Sequence, residues 1–441
     1  MWQFICDKKS RDFFRFWFAQ LFSQFGDRVY QMALVGLMAI RHPGSVVAIT
    51  NMLSFTIIPV FIVGPIAGVY IDRWDRRRTL FICDFIRGVL ILLAAFYLIH
   101  LSDIWPMYAV VFIIFSLSRF YVPAKMSFIP EIVHEDHLLV ANSLSTTTGM
   151  IALVLGALLG GLIVEYTGSF GGFCWGASGY FLSAVLVFAI AGLRRRLPNR
   201  SEIIAGTQKM LQTQKSVWHE IMDGIRYIRS QKEISFIFWM MAILFAAIGA
   251  IYVVIIVFIQ QAFHSVTKDL GFLAVPLGIG LFLGSLSYGR WGAKVTAFKA
   301  IFWSLILGGA MVVLFASMVE STHNRFLALG LSFVLGFVIG PATIAANTVV
   351  NKVCAMEMSG KVFAALEFVM YLAFLVAMQM SSFLSDVLHI ERLWILITVG
   401  AVFMTVGVIG LLKFDPVEKI PPAFGGASPT KGGRIGEGEI L

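Results

Sequence analysis

The stretch Gly64-Pro65-Ile66-Ala67-Gly68-Val69-Tyr70-Ile71-Asp72-Arg73-Trp74-Asp75-Arg76-Arg77-Arg78 closes one apolar run, and another begins at Thr79. Gly64 and Gly68 are four residues apart, so they share a helix face on which a neighbouring backbone can approach closely. Asp72 and the arginines cannot stay in hydrocarbon, so a helix carrying these glycines has to leave the bilayer there. That reading decides the fold only if the rest of the chain is built for the same solvent.

It is. Of the 441 residues, 59% are hydrophobic and 13% charged, whereas a soluble globular chain has roughly 25% charged and about 45–50% apolar residues. A soluble domain would have too little polar surface to cover so many apolar segments. The composition defines an all-α polytopic membrane protein. Its net charge of +9 is spread over short gaps between apolar runs, which suits membrane topology rather than nucleic-acid binding. The four cysteines, Cys6, Cys83, Cys174 and Cys354, are scattered without metal-ligand spacing, so neither a disulfide framework nor a zinc site is expected. No cleavable signal peptide is expected, because Met1 to Arg15 is mixed polar and charged.

A membrane span needs about 20 mostly apolar residues. That rule predicts twelve: 13–40, 45–71, 79–101, 104–127, 138–164, 170–193, 234–262, 269–290, 296–319, 325–350, 361–386 and 391–412. They divide into a six-helix half over 1–193 and another over 234–414. Between them lies a cytoplasmic segment, 194–233, and a tail over 415–441 rich in Gly, Pro and charge is expected to be disordered. Val217, Ile221, Ile225 and Ile228 recur at helical spacing with charges between them, predicting an amphipathic helix on the membrane rim. With the N-terminus inside, only Arg41, Lys268, Arg325 and Arg392 fall outside, while Arg28, Arg87 and Arg119 lie within spans. The positive-inside rule therefore puts both termini in the cytoplasm. Two six-span halves around a charged loop are the arrangement of a two-halved transporter. Gly280, Gly284, Arg290 and Lys294 form a faint second copy of the opening stretch, with Tyr288 in place of the acid.

Several residues stand out as candidates for chemistry. Gln20, Gln24, Asp27 and Gln31 follow one another on a single helix face, and Arg28 and Tyr30 lie beside them. A charge at the bilayer centre costs at least about 2.5–3.5 kcal/mol, so this stripe faces either a wet cavity or a partner; the plainer alternative is a structural Asp–Arg pair. Asp84 and Arg87, three apart on one turn, read as a structural charge pair. Arg119 has no acid near it on its own helix and needs a carboxylate from Asp27 or Asp84. Glu367 is either a proton site or a gate partner for the arginines after Asp72. Gly68, Asp72, Arg73, Arg76 and Arg77 read as a cytoplasmic gate in which the arginines pair across the half–half interface, or else as an ordinary positive-inside loop. Gly156, Gly160 and Gly161 form a small-residue face for close helix contact. Glu131, His134, Glu135, Asp136 and His137 resemble a metal cluster in composition, but a solvated loop explains them better, and no metal is expected. There is no phosphate-binding Gly-rich loop for ATP and no hydrolase signature.

Together these residues resemble the major facilitator superfamily, and more narrowly its macrolide-efflux and enterobactin-exporter-like branch of bacterial drug:proton antiporters. Gly68 to Arg78 is similar to the superfamily's loop 2–3 signature. Arg119 falls at its span 4 arginine motif, and Gly156–Gly161 resembles its span 5 antiporter motif with Ala157 in place of the proline. Gly26-Asp27-Arg28, Asp84 with Arg87, Pro130-Glu131-Ile132-Val133, Ala141-Asn142-Ser143-Leu144, Asp223 to Ile228 and Gly360 to Ala364 match the branch in both halves. The resemblance implies a major facilitator fold and, in the bacterial inner membrane, proton-coupled efflux of an amphipathic small molecule by alternating access. A drug, a macrolide-like compound or a siderophore is the expected cargo. No cofactor beyond the proton gradient, no nucleic acid and no enzymatic activity are expected, and the protein is expected to be a monomer. Alternative readings are a lysophospholipid flippase or iron transporter on the same fold, or a non-transporting membrane sensor or assembly partner.

Overall fold

The computed structural model describes residues 8–64, 67, 74–97, 101, 103–190, 222, 223, 225, 226, 229, 232–292, 295–353 and 359–413. Gly68, Asp72 and Arg73, most of the 194–233 segment with its predicted amphipathic face, and the 415–441 tail lie outside the described residues. Within them the chain is helical, with no strand. The helices are α1 (Lys8–Arg41), α2 (Val46–Ile62), α3 (Arg76–Phe96), α4 (Trp105–Ile132) and α5 (Leu138–Phe188), then α6 (Lys232–Phe263), α7 (Lys268–Trp291), α8 (Ala297–Thr322), α9 (Arg325–Val353), α10 (Ser359–Asp386) and α11 (Arg392–Lys413). Among the described residues nine helices are long and apolar enough to cross a membrane. Large apolar side chains such as Leu93, Phe282, Trp303 and Leu372 stand exposed around the bundle, as lipid-facing positions require.

Local sequence sets the ends. Ser45 caps α2 by accepting from the Ala48 amide, and Asp75 caps α3 by accepting from the Arg78 amide at 3.0 Å. The α5 helix spans two predicted spans, because between them only Gly168 leaves helical geometry, at φ 70° and ψ 178°. That conformation is open essentially to glycine alone. It reverses the chain. Before it, Ser145, Gly149, Gly156 and Gly160 meet Gln20, Gln24, Arg28 and Val29 in turn; after it, Gly172, Gly176 and Gly179 meet Ala33, Tyr30 and Phe22 in the opposite sense. The first run of α5 is thus parallel to α1 and the second antiparallel, with α1 packed along both.

The helices α1–α5 pack chiefly on one another, as do α6–α11; between the groups α5 meets α7 and α2 meets α10. The start of α1, the end of α11, the start of α3, the α4–α5 connection and the end of α7 share one end of the bundle. Gly168 and the connections after α1, α6, α8 and α10 share the other, the distal end. Buried packing is continuous across both groups distally, from Leu34 and Met52 through Phe173 to Val257, Phe315 and Leu396. Toward the terminal end it separates into a cluster in the first group, around Phe16, Leu80 and Phe128, and another in the second, around Phe238, Phe302 and Phe403. Phe61 of α2 and Phe368 of α10 still meet edge-on there, with ring centroids 5.1 Å apart.

Candidate functional site

The polar face of α1 turns toward α3 and α5. Gln20 is buried and satisfied by Ser145, donating to its carbonyl at 3.1 Å and accepting from its hydroxyl at 2.8 Å. Gln24 lies against Gly149. Of the two environments open to the stripe, its first turns therefore have a partner helix; Gln20 alone is buried, and Gln24, Asp27 and Gln31 are half-exposed.

Those later residues join a charge network. Arg87 of α3 is 1% exposed and Asp84 is 0% exposed. The Arg87 guanidinium donates to Asp84 Oδ1 at 2.5 Å, to Ser118 Oγ of α4 at 3.3 Å and to the Cys83 carbonyl at 3.2 Å. It is held between the rings of Tyr121 and Tyr180, 4.6 and 4.7 Å from their centroids. Asp84 also accepts from Ser23 at 3.1 Å and from Ser183 at 2.5 Å. A buried ion pair persists only when its remaining polar atoms are hydrogen-bonded in this way. The same guanidinium lies 3.7 Å from Asp27 Oδ1, and the Tyr180 hydroxyl donates to that oxygen. Asp27 is 28% exposed. One arginine therefore serves two carboxylates, one sealed and one within reach of water. Around it, Lys125 of α4 lies within electrostatic reach of Asp27, and Arg28 within reach of Tyr252 on α6. Arg28 also donates to Gln31 at 2.9 Å.

Other predicted residues are placed differently. Arg119 pairs with neither Asp27 nor Asp84; its Nε is buried without a hydrogen bond among the described residues. Arg87 sits between both acids on the adjacent helix and takes the place expected for Arg119. Arg76 and Arg77 do not reach across the interface as expected. Arg76 pairs with Glu131 at the end of α4, and Arg77 donates to the Val187 and Phe188 carbonyls at the end of α5. Both partners are next to the start of α3, and a helix C-terminus favours a cation. Glu367 is exposed near the start of α10 and forms no ion pair among the described residues. The small-residue face faces two ways. Gly156 and Gly160 lie on Arg28 and Val29 of α1, whereas Gly161 abuts the Thr267 carbonyl and Gly271 of α7. Gly280 and Gly284 pack on the backbone of α9 at Phe333 and Phe337. His134 and Asp136 are solvent-exposed, and no metal-type cluster occurs among the described residues.

Sequence reading missed Tyr180, Ser23, Ser183 and Tyr121, since common residues in apolar runs carry no spacing signal. It also missed Glu165 and Asp386, whose partners lie in the other group of helices: Glu165 Oε2 accepts from the backbone amides of Val266, Thr267 and Lys268 at 3.0, 2.9 and 3.1 Å. Asp386 Oδ2 accepts from Ser45 Oγ at 2.8 Å and the Val47 amide at 2.9 Å.

A helical bundle with a charge network sealed among its helices is the build of a membrane transporter. Residues 16–378 match the family model of the Major Facilitator Superfamily, and the chain belongs to that superfamily. It is 22% identical to the MFS-type transporter YfiS of Bacillus subtilis over 89% of this chain and 91% of that protein. It is 20% identical to macrolide efflux protein A of Streptococcus pyogenes over 90% and 94%. A shorter match, covering 52% of this chain and 54% of the relative at 24% identity, is to the putative bacilysin exporter BacE of Bacillus subtilis. Among solved structures, a bacterial homologue of the iron transporter ferroportin in an inward-facing state superimposes with a TM-score of 0.67 at 13% identity, covering 91% of this chain and 98% of that one. That likeness is one of fold.

Proposed function

We propose that the protein exports amphipathic small molecules from the bacterial cytoplasm by proton-coupled alternating access. In this reading it makes twelve membrane spans in two six-helix halves, acts as a monomer in the inner membrane, and keeps both termini in the cytoplasm. The observation that carries the reading is the shared arginine, with Asp27 and Asp84 both drawing on Arg87 and Asp27 alone partly exposed. When Asp27 takes up a proton its claim on Arg87 lapses, and the guanidinium is left to Asp84; loss of the proton restores the three-centre arrangement. Two charge distributions at one site are what coupling to a proton gradient requires. Gln24, Arg28, Gln31, Arg119 and Glu367 would line the path of the cargo, with Gly68, Asp72 and Arg73 at its cytoplasmic mouth. Core packing that joins distally and divides toward the terminal end supports a cavity approached from that end. The efflux relatives support the direction and the cargo class.

The test is proton-gradient-driven uptake of a compound panel, including macrolides, into inverted membrane vesicles. Wild type should accumulate at least one compound only with the gradient imposed, and Asp27→Asn should lose gradient-driven accumulation while still exchanging compound down its own gradient. Full gradient-driven accumulation by Asp27→Asn would remove Asp27 from the coupling role.

A further inference from the structure

The distal end carries two carboxylates that each cross from one group of helices to the other. Glu165 ends the first run of α5 and accepts three consecutive backbone amides, those of Val266, Thr267 and Lys268, at the N-terminus of α7. Asp386, the last residue of α10, accepts the Ser45 hydroxyl and the Val47 amide at the N-terminus of α2. The first amides of a helix have no partner within it, and its dipole favours a negative charge there. Each carboxylate is therefore a strong contact while the helix ends touch, and nothing once they part.

We infer that Glu165 and Asp386 are paired latches that hold the distal mouth of the transporter shut, and that both release when that mouth opens. The inference rests on the alternating-access reading above. On its count of spans, Glu165 joins span 5 to span 8 and Asp386 joins span 11 to span 2; spans 5 and 11 are equivalent in the two halves, as are spans 2 and 8, so the latches are related by the pseudo-symmetry of the halves. Each sits at an interface where further contacts join the two groups. Beside Glu165, the Thr267 hydroxyl donates to the Gly161 carbonyl at 2.9 Å, and Gly271 packs on the backbone of Ala157 and Leu158. On the Asp386 side, Gln379 donates to Ser54 at 2.9 Å, and Arg392 donates to the Gly44 carbonyl. Of the other charged groups at this end, Asp269 pairs with Arg325 within the second group at 3.2 Å, while Lys268 lies 5.9 Å from the ring centroid of Tyr166 in the first. The two carboxylates are thus the acids that bind the halves together, and no part of the proton site takes part in them.

The experiment measures the distal mouth directly. Spin labels are placed on cysteines at Ile40 and Phe326, 58% and 85% exposed at the distal ends of α1 and α9, after the four native cysteines are replaced. Distances are recorded in lipid nanodiscs for the otherwise unaltered protein, for Glu165→Gln, for Asp386→Asn and for the exposed-acid control Glu391→Gln. Each latch variant should move population severalfold toward a longer separation, and Glu391→Gln should not. The latches lie at separate interfaces, so either variant alone carries the test if the other fails to fold. Unchanged distances in the folded latch variants overturn the inference, even if gradient-driven transport is intact. Lengthened distances uphold it, even if no compound is transported and the export reading falls.

Discussion

At the scale of the residue, the decisive feature is an arginine that cannot be spared alone. Arg87 neutralises Asp84, which is wholly buried, so Arg87→Met would leave an uncompensated charge in the bundle. Removing one partner of a buried pair costs about 3–5 kcal/mol, whereas replacing both by apolar groups is often neutral. Arg87→Met should therefore lower the thermal unfolding temperature of the purified protein sharply, and adding Asp84→Asn should recover most of the loss. A double variant no more stable than the single would show that the damage lies elsewhere, in the aromatic packing of Tyr121 and Tyr180. Much of this site was legible: Asp27, Asp84 and Arg87 are charges inside apolar runs and announce themselves by cost alone. The choice of Arg87 over Arg119 as the shared cation was not legible, because it depends on which faces of α3 and α4 turn toward α1, and periodicity within one helix says nothing of its rotation against the next.

At the scale of the element, glycines are matched to backbones. A Cβ on Gly284 would stand 2.1 Å from the Phe337 carbonyl oxygen of α9, whereas a Cβ on Gly289, further along α7, meets nothing within 4 Å. Gly284→Ala should force α7 and α9 apart and lower stability measurably, while Gly289→Ala should be silent or slightly stabilising, since alanine is the better helix former. Thermal unfolding of the two variants side by side checks both signs. The glycine pair at Gly280 and Gly284 was visible in the sequence only as a faint second copy of the Gly64 and Gly68 stretch, and its helix formed where the apolar run lay. The connection at Gly168 was not visible as the single-residue reversal it is. A lone glycine between two apolar runs fits a loop, a kink or a turn equally well, and only the contacts of both runs with α1 separate these.

At the scale of the molecule, the crossing of α5 and α7 is close enough to be bolted. The ideal Cβ of Gly278 lies 3.6 Å from the Cβ of Val154, within the range a disulfide accepts, about 3.5–4.5 Å. In a background without the native cysteines, Val154→Cys with Gly278→Cys should form a disulfide across the two groups of helices. Oxidation should arrest transport and reduction should restore it, with neither single variant responding. Transport that continues while the bond is intact would mean that these two helices stay together through the cycle. That the chain folds as an all-helical membrane bundle could be read from composition and hydropathy alone. Which ends of the bundle touch could not, since that is a property of one conformation rather than of the sequence pattern.

The position of α1 between the two runs of α5 carries a consequence for how the protein is made. This helix leaves the ribosome before the helices it packs on, yet it is not among the described helices apolar enough to cross a membrane by composition. Asp27 finds its arginine only when α3 arrives, and its tyrosine only after the chain has turned at Gly168 and been extended to Tyr180. A helix that emerges ahead of its partners is thus completed only after them. Through most of the synthesis of the first half, its charged centre must be sheltered by the insertion machinery rather than by the protein itself.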